Sequence, residues 1–107
     1  MTDPKPTIGR IVHYKLTEQD AEQINKRRKD AQTNTLKIHK DALGYVVHVG
    51  NSATEGDVYP MLIVRVWGAT PESSVNGQVF LDGTDTLWVT SVGQGDGVRQ
   101  WHVPPRV

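Results

Sequence analysis

The stretch Tyr59–Ser91 constrains the fold more than any other part of the chain. It reads YPMLIVRVWG, a loop, VNGQVFLDG, a turn, and TLWVTS. Three runs rich in β-branched and aromatic residues, separated by Gly, Pro, Asp and Ser, predict a three-stranded antiparallel meander. Successive side chains on a strand face opposite sides. On that rule Leu62, Val64, Val66, Val75, Val79, Leu81, Leu87 and Val89 form a core face. The other face carries Arg65, Trp67, Asn76, Gln78, Phe80, Thr86, Trp88 and Thr90. An ordinary solvent face would be Lys, Glu and Thr. Aromatic rings beside hydrogen-bonding groups predict a surface that touches something.

The flanks add strands and one helix. Residues 1–8 hold two prolines and read as a flexible lead-in. Gly9–Tyr14 reads as a first strand, with Arg10, Val12 and Tyr14 on one face and Ile11 and His13 on the other. Thr17–Ala31 is the helix: Thr17 caps it, Asp20 closes an imperfect capping box, and Glu18 and Asp20 suit the positive end of its dipole. Its apolar stripe (Leu16, Ala21, Ile24, Ala31) is thin, which predicts an element at the margin of the core or against another subunit. Gln32–Asp41 fits either more helix or a short strand, and Ala42–Val49 reads as a strand. Asp82-Gly83-Thr84-Asp85 signals a tight hairpin. Gly93–Gly97 has three glycines in five residues and predicts a mobile loop. Trp101-His102-Val103 is a last strand or docked tail, stopped by Pro104-Pro105. The sum is a mainly β (α+β) fold: a small antiparallel β-barrel or rolled sheet of five to six strands with one helix. A single domain spans residues 9–107, with a helical insert at about 17–31.

Composition removes several functional classes. The 107 residues include 12 basic and 12 acidic side chains, so there is no excess of cations to displace counterions from a long nucleic acid. There is no cysteine, hence no thiolate metal site, and no apolar run of membrane-spanning length. A cytoplasmic, membrane-free protein without a cofactor is the expectation. GQGDG lacks the Gly-Lys-Ser/Thr ending of a phosphate loop and leads into a strand rather than a helix. No serine or cysteine nucleophile stands in a recognisable setting, and Asp82, Asp85 and Asp96 occupy turn positions that favour Asp for backbone reasons. A non-enzymatic role is therefore expected. His13 and His102 lie in the two terminal strands and can meet in space, but a zinc site needs a third ligand that the sequence does not place. The basic run Lys26–Lys29 reads first as a solvated helix face.

GRIVHY at residues 9–14, VRVW at 64–67, VN at 75–76 with VFLDG at 79–83, WVTSV at 88–92 and WHVPPR at 101–106 resemble a family of small bacteriophage and prophage proteins. The resemblance spans most of the chain and is weakest between Thr17 and Gly50. It departs at Val103, where the family often has a second Trp. The resemblance implies a phage origin and an infected bacterial host cell. Small phage proteins of this build include oligomeric sponges that sequester nucleotide immune signals. A non-enzymatic homo-oligomer binding a small anionic nucleotide is the first functional expectation. Arg10, Arg65 and Arg106 would contact phosphate, Tyr14, Trp67, Trp88 and Trp101 would stack a base, and His13, His102, Asn76 and Thr90 would read polar edges. A virion or assembly accessory protein, and a direct protein inhibitor of a host defence enzyme, are the alternatives.

Overall fold

The computed structural model describes residues 4–38 and 52–105. Five strands, β1 (Ile11–Lys15), β2 (Val58–Val66), β3 (Val75–Phe80), β4 (Thr86–Gln94) and β5 (Gln100–His102), close into a barrel in the order β1-β2-β3-β4-β5. Neighbours are antiparallel except β4 and β5, which run parallel through Gly93↔Gln100 and Gln94↔Trp101. The barrel closes where β5 meets β1 through His13↔His102 and Tyr14↔Trp101. A mainly β barrel with one helix is thus the architecture of the described residues. The strand read at Ala42–Val49 lies outside the described residues.

The helix α1 (Glu18–Ile38) runs well past the predicted end at Ala31. It starts as its sequence dictates. The Asp20 amide donates to Thr17 Oγ1 (2.9 Å), and the Thr17 amide donates back to Asp20 Oδ2 (3.1 Å), so Asp completes the capping box that Glu usually fills. The Tyr14 hydroxyl donates to the same carboxylate at 2.6 Å and ties the cap to the barrel interior. Burial and that carboxylate together push the Tyr14 phenol well above its usual range. Ala21, Ile24 and Arg28 lie one and two turns apart and are the buried residues of the helix over 18–30. The Asn25 side chain clamps Ala53, donating to its carbonyl (2.9 Å) and accepting from its amide (2.8 Å). Arg28 grips the five-residue loop between β3 and β4: Nε and Nη2 bind the Asp85 carboxylate at 2.9 and 3.0 Å, and Nη2 also reaches the Asp82 carbonyl at 3.2 Å. That guanidinium holds the Asp85 carboxyl below the usual range, against the opposing effect of burial. The Lys26–Lys29 run is therefore split, with Lys26, Arg27 and Lys29 exposed and Arg28 buried.

The core holds Val12, Tyr14, Leu16, Met61, Ile63, Val75, Val79, Leu87, Val92 and Trp101, with the helical Ala21 and Ile24 over one end. On β3 and β4 the expected core residues Val75, Val79, Leu87 and Val89 are buried, as is Leu81 just beyond. On β2 the expectation reverses. Met61 and Ile63 are buried, Leu62 is half-buried and Val64 is exposed. MLIV is apolar at every position, so its pattern carries no alternation to choose a face. Cross-strand pairing chooses instead, setting Met61 opposite Val79 and Ile63 opposite Gly77. Gly77 is required there, because a Cβ would stand 2.6 Å from Met61 Cγ and 2.8 Å from the Leu62 carbonyl.

Two other turns differ from expectation. Asp82-Gly83 is part of a loop closed by the Phe80↔Thr86 pair rather than a two-residue turn, and Gly83 does not adopt positive φ. Gly93 and Gln94 belong to β4, paired with β5, and the turn proper begins at Gly95. Gln100 braces that turn, accepting the Gly97 amide at 2.8 Å. In the lead-in Pro6 is buried. With the Gln94 amide oriented to donate, its nitrogen reaches the Pro4 carbonyl (3.3 Å) and the Pro71 carbonyl (3.1 Å).

Candidate functional site

Asn76 sits at the centre of the outer face, between two irregularities. From Ile63↔Gly77 to Arg65↔Asn76 the register of β2 gains one residue, and from Gly77↔Val89 to Val75↔Val92 that of β4 gains one as well. Each neighbour of β3 therefore bulges opposite Asn76. A bulge re-aims the side chains beyond it. On β2 a regular strand would carry Arg65 inward, in step with Met61 and Ile63. The extra residue turns Arg65 outward, tucks Val66 against the core and leaves Trp67 on the surface. On β4 the bulge falls at Thr90-Ser91, where Ser91 takes a φ of 54°. A left-handed backbone at a non-glycine residue is uncommon and needs support from its surroundings.

Asn76 supplies that support. Its Oδ1 accepts the Ser91 amide at 3.0 Å and the Trp67 indole Nε1–H at 3.1 Å. The guanidinium of Arg65 lies over the Trp67 ring, 4.1 Å from its centroid. A relay thus runs from the bulge amide through Asn76 to Trp67 and on to Arg65. Asn76 is buried, whereas Trp67 is 54 % exposed. The ring is held and still presented to solvent.

Below this cluster one cross-strand row crosses four strands through the pairs Ile11↔Leu62, Leu62↔Gln78 and Gln78↔Trp88. Its ends are open: Ile11 is 57 % and Trp88 49 % exposed. Val64 and Phe80 add further exposed apolar surface. Large apolar groups gathered on one face mark contact surfaces more often than groups scattered singly.

The structure brings some expected site residues together and separates others. Arg65, Trp67, Asn76 and Trp88 share the face, and Thr90 borders it, its carbonyl accepting from Arg99 Nη2 at 3.3 Å. Tyr14 and Trp101 do not belong to it. Both are buried in the core, so neither ring can stack on a ligand at this face. Arg10 is exposed at the start of β1, where its carbonyl accepts the Ile63 amide. His13 and His102 do meet, as direct partners across β1 and β5 with ring centroids 5.4 Å apart and planes at 89°. Arg106 lies outside the described residues. The sequence reading missed Ser91 and the pivotal role of Asn76. The available signal was an Asn followed by Gly inside a strand run, two residues that strands disfavour unless a special backbone need exists.

Among the described residues no three His, Asp or Glu side chains gather as a metal site, and no helix is long and apolar enough to cross a membrane. Two open depressions follow the polar side of α1 along Gln19, Gln23 and Lys26. Comparison with protein-family models, with curated proteins and with solved structures finds no match to this chain.

Proposed function

We propose that this is a non-enzymatic binding protein whose contact surface is the outer face of β2, β3 and β4. One observation carries the reading. An exposed Trp and an exposed Arg are held in place by a buried Asn that also secures a bulge on the neighbouring strand. Ordering a surface in this way costs conformational freedom and brings the core nothing. The expense makes sense where a partner meets the ordered groups, since preorganisation removes that entropy loss from binding. Tryptophan and arginine are also the side chains that dominate binding energy at protein interfaces.

The open, aliphatic-bordered shape of the face supports a protein partner. The phage setting implied by the sequence resemblance makes a virion component or a host defence enzyme the natural candidate. The test is native mass spectrometry of protein isolated from the cells that make it. A partner retained by the native chain and lost from a Trp88→Ala/Arg65→Ala double variant of unchanged Tm supports the proposal. A partner retained equally by the double variant sinks it.

Sequestration of a small anionic nucleotide is the second reading. It is favoured by the Arg65 cation stacked on the exposed Trp67 indole, with Trp88 exposed on the same face, and it keeps Arg65, Trp67 and Trp88 as its residues. It loses Tyr14 and Trp101 as stacking groups. Recovery of an intact nucleotide from denatured protein, with a thermal shift on adding it back, would select this reading.

A further inference from the structure

We propose that the outer face takes an extended protein segment in which acidic side chains alternate with apolar ones, and that Arg65 is its carboxylate anchor. This rests on the reading of the face as a protein contact surface and names the chemistry of the partner.

The first argument is charge. The chain as a whole is neutral, yet none of its 12 acidic residues lies in β1–β5. The barrel wall instead carries Lys15 and Arg65, and Arg99 reaches onto it at Thr90. Neutrality is reached by placing every carboxylate outside those strands, which leaves the wall complementary to an anion. Lys15 already donates to the Asp96 carbonyl and Arg99 to the Thr90 carbonyl, which leaves Arg65 as the strand cation without a hydrogen-bonded partner among the described residues and the one able to meet an acidic group.

The second argument is the state of Arg65. Arg27 and Arg28 both pair with Asp85, whereas Arg65 has no carboxylate beside it among the described residues. The flat face of the Arg65 guanidinium is taken up by the Trp67 ring. Its N–H edges are the groups that bind carboxylates in a bidentate fork, and stacking leaves them available.

The third argument is shape. The row Leu62–Gln78–Trp88 crosses three adjacent strands, about 10 Å at the usual interstrand spacing, and Ile11 lies further round the curved wall. That matches roughly three residues of extended chain. Its aliphatic end, Leu62, offers no ring to stack on. Alternating apolar side chains fill such a row, and an intervening acidic one reaches Arg65.

The three indole N–H groups give the experiment its readout, since Trp67 and Trp88 lie on the face and Trp101 in the core. An N-acetylated hexapeptide alternating Glu with Leu, the same peptide with Gln for Glu, and AMP are titrated in turn into ¹⁵N-labelled protein. The Glu peptide is expected to shift the Trp67 and Trp88 signals and leave Trp101 still. The Gln peptide is expected to bind about tenfold more weakly, the usual scale for one charge-assisted pair. Arg65→Gln should reduce the Glu peptide to the level of the Gln peptide. Equal binding of the two peptides overturns the carboxylate anchor while leaving the face as a protein contact surface. Shifts with AMP and none with either peptide replace the partner by a nucleotide. Concentration-dependent shifts in the protein alone assign the face to a second copy. Silence of both surface indoles with every probe overturns the proposal.

Discussion

Arg28 and Arg65 show how one residue type serves two ends. Arg28 is 8 % exposed and spends its donors on a carboxylate and a carbonyl of the same loop, so its charge is consumed within the fold. Arg65 is exposed, lies flat on an indole and has no carboxylate beside it among the described residues. The tryptophans repeat the contrast. Trp101 has no exposed surface, whereas Trp67 and Trp88 are half open. In both pairs the buried member holds the barrel together, and the open member is positioned without contributing much to its stability.

That contrast breaks most visibly at Trp101. Trp101→Ala removes a fully buried ring and should cost about 3–5 kcal/mol, enough to unfold a domain of this size at moderate temperature. Denaturant unfolding followed by circular dichroism measures it. Next is Arg28→Met, which leaves Asp85, 26 % exposed, with only the more distant Arg27 at 3.6 Å and should cost about 2 kcal/mol, between a surface pair and a fully buried one. The same variant sharpens the comparison through pH. The folded-state pKa of Asp85 is depressed, so the pair's stabilisation is complete above the unfolded carboxylate value of about 4 and is lost as pH falls through the folded value. Arg28→Met should flatten that acid limb, as read from Tm against pH. The opposite limb belongs to Tyr14, whose folded pKa is raised. Its contribution is complete below about pH 10 and is lost as pH rises further, and Tyr14→Phe should remove this alkaline sensitivity.

Asn76→Ala lies between the extremes. It leaves the Ser91 amide and the Trp67 indole without their acceptor and should cost about 2 kcal/mol. Its distinguishing mark is a loosened Trp67, seen as faster exchange of the indole proton, with Trp101 unaffected. The smallest effect is expected at Arg65 and Trp88. Alanine at either should move stability by less than about 0.5 kcal/mol while weakening partner binding by about tenfold or more. A large loss of Tm at Arg65 would end the distinction between the two arginines.

The sequence spoke clearly where alternation was clean. In β3 and β4 aliphatic residues recur at alternate positions, and the buried set matches that pattern at Val75, Val79, Leu87 and Val89. The Thr17–Asp20 cap was equally legible, because capping is a local interaction between residues three apart. β2 was illegible for the reason that makes it a good strand: Met61-Leu62-Ile63-Val64 is apolar throughout. The outward aim of Arg65 and Trp67 and the inward aim of Val66 were read correctly from a regular strand, but Leu62 and Val64 were taken as core in place of Met61 and Ile63. The bulge at residues 63–65 reconciles the two, and no local pattern announces it. Arg28 was hidden inside a basic run because its partner is 57 residues away. Tyr14 and Trp101 drew attention as site residues by their chemistry, while their burial depends on barrel closure, a long-range event no residue spacing encodes.

That closure has one more consequence. β3, at the middle of the contact face, is paired with β2 on one side and β4 on the other, so it offers no free row of amides and carbonyls as a template for another chain. A partner therefore cannot dock at the middle of that face by lending a strand, the mode in which backbone groups supply affinity whatever the sequence. It has to be read through side chains. A protein built this way trades ease of association for selectivity, and single substitutions at a few surface positions would be enough for a partner to escape it.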